Sequence, residues 1–390
     1  MASVLCKHTK RYSGPNVANI STMPLSILHI APQNIAGVPF EIVKEERRRG
    51  INSLLVTICP HPYGFGEDEC LDLPFAAGRT TRFLQRVLGT TPAKSNKRRR
   101  DPSEIPPKWN GDKFPANLLF SIRDRIWEPK LRKAGFPERL EEYDIVVLDG
   151  GIPLLRSGNW ILRWAERGGH LATTYYGTDL RQHGVIPAID NASGAVFVME
   201  FDHRFLHPRA VWLPFPFDPT VLPRANPPKN GSIRIGHAAA YRPSKGTDTI
   251  YNAIREVGKK YSVEPVIIER LPHKETLELK STCDIFIDQL GELGYGISAL
   301  ESLAMGIPTI VELLPDHEEF IGDHPFVVAN SENLPDILAG LVEDDERRKR
   351  LSEKGRRWVE EFHNPARAVN IILEKYRNLG WFAAKDVYEK

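Results

Sequence analysis

Glycines placed directly before a predicted helix make residues 288–308 the segment best suited to binding a phosphate. A predicted strand at 284–287 ends just before it, and the turn that follows contains Gly291, Gly294 and Gly296. A helix is then predicted to begin near Ile297. Free backbone N–H groups and the helix dipole favour an anion at such a position. Many strand-to-helix turns carry glycine for packing alone, so the prediction needs support from other residues.

Glu301 lies in the apolar arc of this predicted helix. At about 100° per residue it falls between Ile297 and Met305 and close to Ala304. Burying a carboxylate there is costly unless it has a partner. Two interpretations are open at this point. Glu301 forms a salt bridge to a neighbouring helix, or it accepts hydrogen bonds from ligand hydroxyl groups, for which those of ribose are suited.

Two basic residues, Arg242 and Lys245, stand just before or at the start of a second predicted helix, which runs from about Lys245 to Lys260. The helix dipole disfavours cations at this end. Their presence is easier to explain if an anion binds between them, although a solvated loop is the alternative. Together with the glycine-rich turn, they predict a diphosphate site.

Both segments belong to the second of two α/β halves. In the first half, a strand at 25–31, a helix with Pro39 in its first turn and a strand at 51–58 form a βαβ unit, which predicts a parallel sheet. Later strands are predicted at 145–148, 170–175, 195–199 and 210–215 in the first half, and at 233–237, 263–268, 284–287 and 309–311 in the second.

The proline-rich residues 216–231 lie between the halves and are predicted to be a domain linker. Ligands of open α/β sheets bind beyond the carboxyl ends of the strands, so we expect the site in a cleft between the halves. Residues 90–115 are rich in proline and polar side chains and predict an exposed loop. The basic run at 97–100 is then a solvated part of it, with peripheral contact to anionic lipid as the alternative.

The composition is that of a globular protein with two domains of ordinary size. The chain has 390 residues, 41% hydrophobic and 26% charged, with a formal net charge of +2, which gives no reason to expect a nucleic-acid partner. Its four cysteines lack metal-ligand spacing, so a reducing compartment such as the cytoplasm fits best. No apolar run approaches the ~20 residues of a membrane helix. Residues 1–22 lack the apolar core of a secretory signal and predict a disordered extension.

Five short motifs occur in a fixed order within residues 25–376. They are Asn34-Ile35-Ala36-Gly37, Tyr176-Gly177-Thr178-Asp179-Leu180-Arg181, Lys245-Gly246-Thr247, Gly294-Tyr295-Gly296, and Ala299-Leu300-Glu301 with Gly306-Ile307-Pro308. Together they resemble the family-4 class of retaining glycosyltransferases, which have the GT-B architecture of two facing Rossmann-like α/β/α domains. The resemblance implies an α/β chain with residues 23–217 as the acceptor-side domain, 218–380 as the nucleotide-sugar donor domain and 381–390 as a tail.

The resemblance also implies contacts to the donor diphosphate. Gly37 would let the first loop approach it, and Arg242 and Lys245 would hold its phosphates and stabilise charge on the leaving nucleotide. Backbone donors to the same phosphates would come from Gly294, Tyr295 and Gly296.

The catalytic carboxylates implied by the resemblance are Asp179, Glu292 and Glu301. Asp179 would face the acceptor, with Tyr176 where the family has a histidine, and Glu301 would bind ribose. The family often has another glutamate eight positions before Glu301, where this chain has Leu293. Glu292 is adjacent and serves only if the loop path shifts by one residue.

The implied function is transfer of a sugar from a nucleotide diphosphate sugar to a glycan, glycolipid or small-molecule acceptor, with retention. No cofactor is expected, and no metal is required, because basic side chains and helix termini can neutralise a leaving diphosphate. Because Leu293 stands where the family often has a glutamate, a non-catalytic protein that binds a nucleotide or a partner is an alternative. A nucleotide-sugar epimerase of the same fold is a further alternative.

Overall fold

Two parallel β-sheets, one from each half of the sequence, form the framework of the protein. The computed structural model describes residues 24–76, 102–109, 116–239, 245–290 and 294–382. The strands are β1 (Ser26–Ala31), β2 (Asn52–Thr57), β3 (Glu69–Cys70), β4 (Ile145–Asp149), β5 (His170–Tyr175), β6 (Ala195–Val198), β7 (Ala210–Trp212), β8 (Ile233–Ala238), β9 (Val263–Ile268), β10 (Ile285–Ile287), β11 (Thr309–Val311) and β12 (Val327–Val328). The first sheet has the order β3-β2-β1-β4-β5-β6-β7, and the second has the order β12-β11-β10-β8-β9.

Helices connect these strands and follow the second sheet. They are α1 (Val38–Arg48), α2 (Ala116–Lys133), α3 (Asn159–Glu166), α4 (Pro187–Ala192), α5 (Thr247–Val257), α6 (His273–Lys280), α7 (Ile297–Met305), α8 (Pro315–Ile321), α9 (Leu334–Glu343), α10 (Asp345–Phe362) and α11 (Pro365–Asn378). The predicted α/β class, with two parallel sheets and helices between their strands, is confirmed.

Strand β1 is an interior strand of the first sheet, where it pairs in parallel with β2 and β4. All six of its residues are buried, as expected for a continuous apolar run in a parallel sheet. The chain leaves β1 through a short loop and enters α1 after Gly37, whose φ is +80°. The predicted βαβ unit is therefore present, and its first loop opens at the carboxyl end of β1.

Two predicted elements differ from the structure by two residues or more at a boundary. The helix predicted from about Lys245 begins at Thr247, because Gly246 takes a left-handed conformation with φ +66° and ends the preceding turn. The strand predicted to reach residue 215 ends at Trp212. Pro214 and Pro216 have no N–H to donate to a ladder, so pairing cannot continue.

The chain crosses between the two halves beside His363, a fully buried residue at the junction of α10 and α11. Its Nδ1 donates to the carbonyl of Phe215 at 2.9 Å, and its carbonyl accepts from the N–H of Phe217 at 2.9 Å. The predicted linker that follows is irregular apart from a short helical turn at Pro219–Val221. One histidine thus fixes the backbone at the start of the linker.

Helix α11 returns from the second half and packs on the first. Arg49, just after α1, donates from Nη2 to the carbonyl of Ala366 at 2.9 Å. The ring of Tyr376 meets that of Phe197 on β6 edge-on at 5.8 Å. Trp381, in the predicted tail, stacks on His170 at 4.9 Å. The terminal helix and the start of the tail therefore hold the two halves together, while the exact domain limits stay a prediction.

Part of the predicted loop at 90–115 is packed rather than exposed. Pro107 is buried, its carbonyl accepts from the N–H of Val185 at 2.7 Å, and the N–H of Trp109 donates to the carbonyl of Val185 at 2.9 Å. The prediction of an exposed loop is therefore wrong at Pro107, where the backbone pairs with the chain beyond β5, whereas Ser103, Glu104 and Lys108 are exposed as predicted. The basic run at 97–100 and the predicted extension at 1–22 lie outside the described residues.

Candidate functional site

A cavity of about 280 Å³ lies between the two halves, at the carboxyl ends of β1, β5 and β6. The first half supplies most of its wall, and the second half supplies the start of α7. The lining includes Ile35, Ala36, Tyr176, Gly177, Asp179, Glu200, Gly296 and Ile297. This is the position that the two-sheet arrangement predicts for a ligand.

Gly37 lies beside this cavity, at the N-terminus of α1. Its φ of +80° is a conformation that residues with a Cβ rarely adopt. A Cβ at this position would come within 3.2 Å of the Phe65 ring. The sequence prediction places a diphosphate near Gly37, and the structure brings this loop to the edge of the cleft.

Asp179 organises the loop that follows β5. One of its carboxylate oxygens accepts from the N–H of Tyr176 at 2.8 Å. The other accepts from Gly177 at 2.8 Å and Leu180 at 2.7 Å. Asp179 lines the cavity as expected, but these three backbone bonds show that its carboxylate holds the loop in shape. Contact with an acceptor stays a prediction.

Tyr176 links this loop to a buried group of charged side chains. This group, which we call the first cluster, consists of His29, Glu46 and Asp149. The Tyr176 hydroxyl donates to Asp149 at the end of β4. The other oxygen of Asp149 lies 3.0 Å from His29 Nδ1, and His29 Nε2 lies 3.2 Å from Glu46 on α1. Burial alone would lower the pKa of His29, but the two carboxylates outweigh it and raise the pKa to about 10.

Glu200 is a cavity-lining carboxylate that the sequence prediction missed. It follows β6 almost directly, and its Oε2 lies 3.3 Å from Arg181 Nη2. Burial raises the pKa of Glu200 to about 7, with Arg181 opposing the rise and Asp202 adding to it. Its place after a predicted strand, at the same sheet edge as Asp179, is the signal that could have found it.

Lys245 is the predicted phosphate-binding cation that the structure describes. Its Nζ donates to Asp288 at 3.0 Å and to Gln289 at 2.6 Å. The second oxygen of Asp288 accepts from the N–H of Gly296 at 3.3 Å. Asp288 therefore ties Lys245 to the start of α7, which brings the two predicted phosphate-binding segments together. Arg242 lies outside the described residues, as do Gly291, Glu292 and Leu293.

The described end of the glycine-rich turn, residues 294–296, packs tightly against other parts of the second half. Gly294 has a φ of +129°, and a Cβ there would lie 2.5 Å from the His317 ring. Gln289 donates to the Gly294 carbonyl. The Tyr295 side chain is buried, stacked on His317 at 5.4 Å, and its hydroxyl lies 3.1 Å from His363 Nε2. Tyr295 therefore anchors the turn through its side chain, while the predicted phosphate contacts involve only its backbone.

Glu301 is held in a second buried cluster, which joins α6 to α7. Lys280 Nζ, fully buried, donates to one of its oxygens at 2.5 Å, and His273 Nε2 lies 2.6 Å from the other. Burial would raise the pKa of Glu301, but Lys280 and His273 together lower it to about 2. Of the two interpretations left open above, the salt bridge between helices is present. A ribose contact stays a prediction.

The part of the chain that the structure describes contains no group of three or more histidine, cysteine, aspartate or glutamate side chains arranged to hold a metal ion. Among those residues, no helix is both long and apolar enough to span a membrane.

Part of the second half matches a known family model. The model described as "Glycosyl transferases group 1" matches residues 245–358, which contain Lys245, the glycine-rich turn and Glu301. No curated protein sequence matches the chain.

Solved structures resemble most of the chain. Anabaena Alr3699/HepE in complex with UDP and glucose is 11% identical, with a TM-score of 0.53 over 91% of this chain and 100% of that one. Sucrose-phosphate synthase from Thermosynechococcus elongatus is 12% identical, with a TM-score of 0.52 over 91% and 99%. The protein has the GT-B fold. A putative UDP-N-acetylglucosamine 2-epimerase from Listeria monocytogenes is as similar, at 12% identity and a TM-score of 0.52 over 94% and 100%. At these identities the likeness is one of fold, which a sucrose-phosphate synthase and a putative epimerase share.

Proposed function

We propose that this GT-B protein transfers a sugar, with retention, from a nucleotide diphosphate sugar to a glycan, glycolipid or small-molecule acceptor. The observation that carries the proposal is the pairing of Lys245 with Asp288 beside Gly296, at the edge of a cavity shared by both halves. A cation and the N-terminus of a nine-residue helix meet there, and both favour a phosphate. The family match covers these same residues.

The proposed chemistry is electrostatic. As the bond between the sugar and the diphosphate breaks, negative charge develops on the leaving nucleotide. Lys245 would stabilise that charge together with the start of α7, and both are already in position before the ligand binds. Asp288 keeps the ammonium group in place, and a phosphate would take over part of its coordination. Neither a metal nor a cofactor is needed for this step.

The first test is a thermal-shift panel with UDP, GDP, ADP, dTDP and CDP and their sugar conjugates. UDP comes first, because HepE was solved with it. A ligand at ~100 times its dissociation constant adds about 2.7 kcal/mol of stability, enough for a measurable shift in Tm. One selective nucleotide supports the proposal, and a panel without any shift contradicts it.

Lys245→Ala tests the assigned position, with Lys259→Ala as the matched control. Lys259 is an exposed lysine just beyond α5, away from the glycine-rich turn. Lys245→Ala is expected to weaken nucleotide binding at least tenfold, as loss of a charged hydrogen bond does. The control is expected to bind as the wild type does. Equal nucleotide affinities in both variants would contradict the assignment of Lys245 to phosphate binding.

A non-catalytic nucleotide-binding protein is the second candidate. The observation that favours it is Leu293, an apolar residue where the resembling family has a glutamate. Donor hydrolysis or sugar transfer by the purified protein excludes this candidate, and nucleotide binding without turnover supports it. Where transfer occurs, NMR of the product's anomeric configuration tests retention.

A further inference from the structure

Glu200 is the feature of the cleft that the proposed function leaves without a role. Its side chain is 23% exposed and lines the cavity, opposite the start of α7. The loop after β5 passes close to it, since a Cβ on Gly177 would lie 3.7 Å from Glu200 Oε1. Glu200 is therefore enclosed by protein on one side and open to the cavity on the other.

The neighbouring carboxylates of the first half are already occupied. Both oxygens of Asp179 accept backbone N–H groups. Both oxygens of Asp202, which is fully buried, accept from Arg181, at 2.6 and 2.5 Å. Among the described residues, the one ion pair of Glu200 is its 3.3 Å contact with this same Arg181. Glu200 thus retains acceptor capacity for a ligand, and a carboxyl group accepts hydrogen bonds from hydroxyl groups whether or not it is protonated.

The position of Glu200 relative to the proposed diphosphate site decides which hydroxyl groups it meets. Gly296 and Ile297, at the start of α7, line the same cavity. Lys245 is close enough for its charge to act on Glu200. A sugar attached to a diphosphate at Lys245 and α7 would therefore extend into this cavity. About 280 Å³ lies near the lower end of the range for small-molecule sites and suits a single sugar ring.

We propose that Glu200 accepts hydrogen bonds from hydroxyl groups of the donor sugar and so helps to select which sugar the protein binds. This inference rests on the proposed function, because it takes the sugar to be carried by a nucleotide diphosphate. It also gives the cleft a hydroxyl-binding carboxylate from the first half of the chain. Leu293, in the second half, cannot accept such a hydrogen bond.

The test compares each nucleotide with its sugar conjugate by calorimetric titration of the full chain. The probes are UDP with UDP-glucose and UDP-N-acetylglucosamine, GDP with GDP-mannose, and ADP with ADP-glucose. The quantity of interest is the factor by which the sugar increases affinity. Glu200→Gln is expected to leave the Kd of the bare nucleotide unchanged and to raise the Kd of the sugar conjugate about tenfold. Glu200→Asp, which keeps the charge but shortens the side chain, is expected to lie between the two.

Glu166→Gln, at the exposed end of α3, is the matched control and is expected to match the wild type for every probe. Thermal unfolding without ligand verifies that each variant is folded. If bare nucleotides bind and the effect of the sugar is the same in Glu200→Gln as in wild type, this inference fails and the proposed function stands. If no nucleotide binds the wild type, the proposed function fails and the inference falls with it.

Discussion

Each half of the molecule has a buried cluster of charged side chains near the cleft. The two clusters differ in how far their side chains are exposed to solvent. In the first, His29 lies between Glu46 and Asp149. In the second, Glu301 lies between Lys280 and His273. In both clusters a central charged side chain, His29 on a strand or Glu301 on a helix, contacts groups of opposite charge on neighbouring elements. Both therefore join secondary structure elements beneath the site.

The first cluster is fully buried, and we call it the sealed cluster. The second, which we call the open cluster, is partly exposed to solvent at His273. The side chains of His29, Glu46 and Asp149 are 2%, 0% and 0% exposed, whereas His273 is 30% exposed. Its ring also packs on Phe65 of the first half at 4.5 Å. A sealed cluster can only hold structure, since no ligand reaches it. An open one can exchange a partner, which a carboxylate must do if it is to bind ribose.

The largest effect is expected from breaking the sealed cluster. His29→Leu leaves Glu46 and Asp149 buried without their shared positive partner, and loss of a partner from a buried pair costs about 3–5 kcal/mol. Urea unfolding at pH 7 measures the free energy of unfolding. A loss below about 1 kcal/mol would mean that the two carboxylates do not depend on His29.

Breaking the open cluster is expected to cost somewhat less. Lys280→Met leaves Glu301 with His273 alone, and we expect a loss of about 2–4 kcal/mol, because one oxygen keeps its partner. The double variant Lys280→Met with Glu301→Leu removes both buried charges and is expected to recover most of that loss. Failure of the double variant to recover stability would show that packing, not charge, explains the loss.

The sealed cluster also predicts how stability depends on pH. The pKa of His29 is about 10 in the fold against 6.5 in the unfolded chain, so the folded state holds one proton more between these values. Its contribution is complete below pH 6.5 and is lost as the pH rises towards 10, by up to about 1.4 kcal/mol per pH unit. Urea unfolding of the wild type at pH 6.5 and 8.5 should therefore differ by about 2 kcal/mol. In His29→Leu this component should be absent, and a wild-type slope in that variant contradicts the assignment.

The smallest effect on stability is expected at the open end. His273→Ala removes a partly exposed partner of Glu301, and such pairs contribute about 1 kcal/mol or less. If Glu301 binds ribose, one of its oxygens becomes free, and nucleotide affinity should increase severalfold in the titration described above. Unchanged affinity would assign Glu301 to the salt bridge alone.

The sequence predicted the parts of the fold that depend on local pattern. Strand β5 and helix α7 have the predicted bounds, because apolar runs and Gly306 after the helix are local signals. Helix α8 was not predicted, since its seven residues are too few to show a helical apolar period. Strand β12, of two residues, is too short to show an alternation.

The site was predictable only where one segment carries its own chemistry. The glycine-rich turn and Lys245 were found because glycine and charge before a helix are unusual in themselves. Glu200 was missed although it directly follows a predicted strand, and Lys280 was not identified as the partner of Glu301, because it lies 21 residues earlier on another helix. The partner of His29 on β4 is 120 residues away, and no periodicity indicates it.

His363 connects the backbone between the two halves to the glycine-rich turn. Its imidazole donates to the Phe215 carbonyl and accepts from the Tyr295 hydroxyl, and burial lowers its pKa to about 3, so the ring stays neutral at physiological pH. The backbone at the interdomain crossing and the glycine-rich turn thus share one rigid hydrogen-bonded link. A change in the angle between the halves acts on the turn through this link. By thermodynamic reciprocity, a ligand that fixes the turn must bias that angle with the same coupling energy.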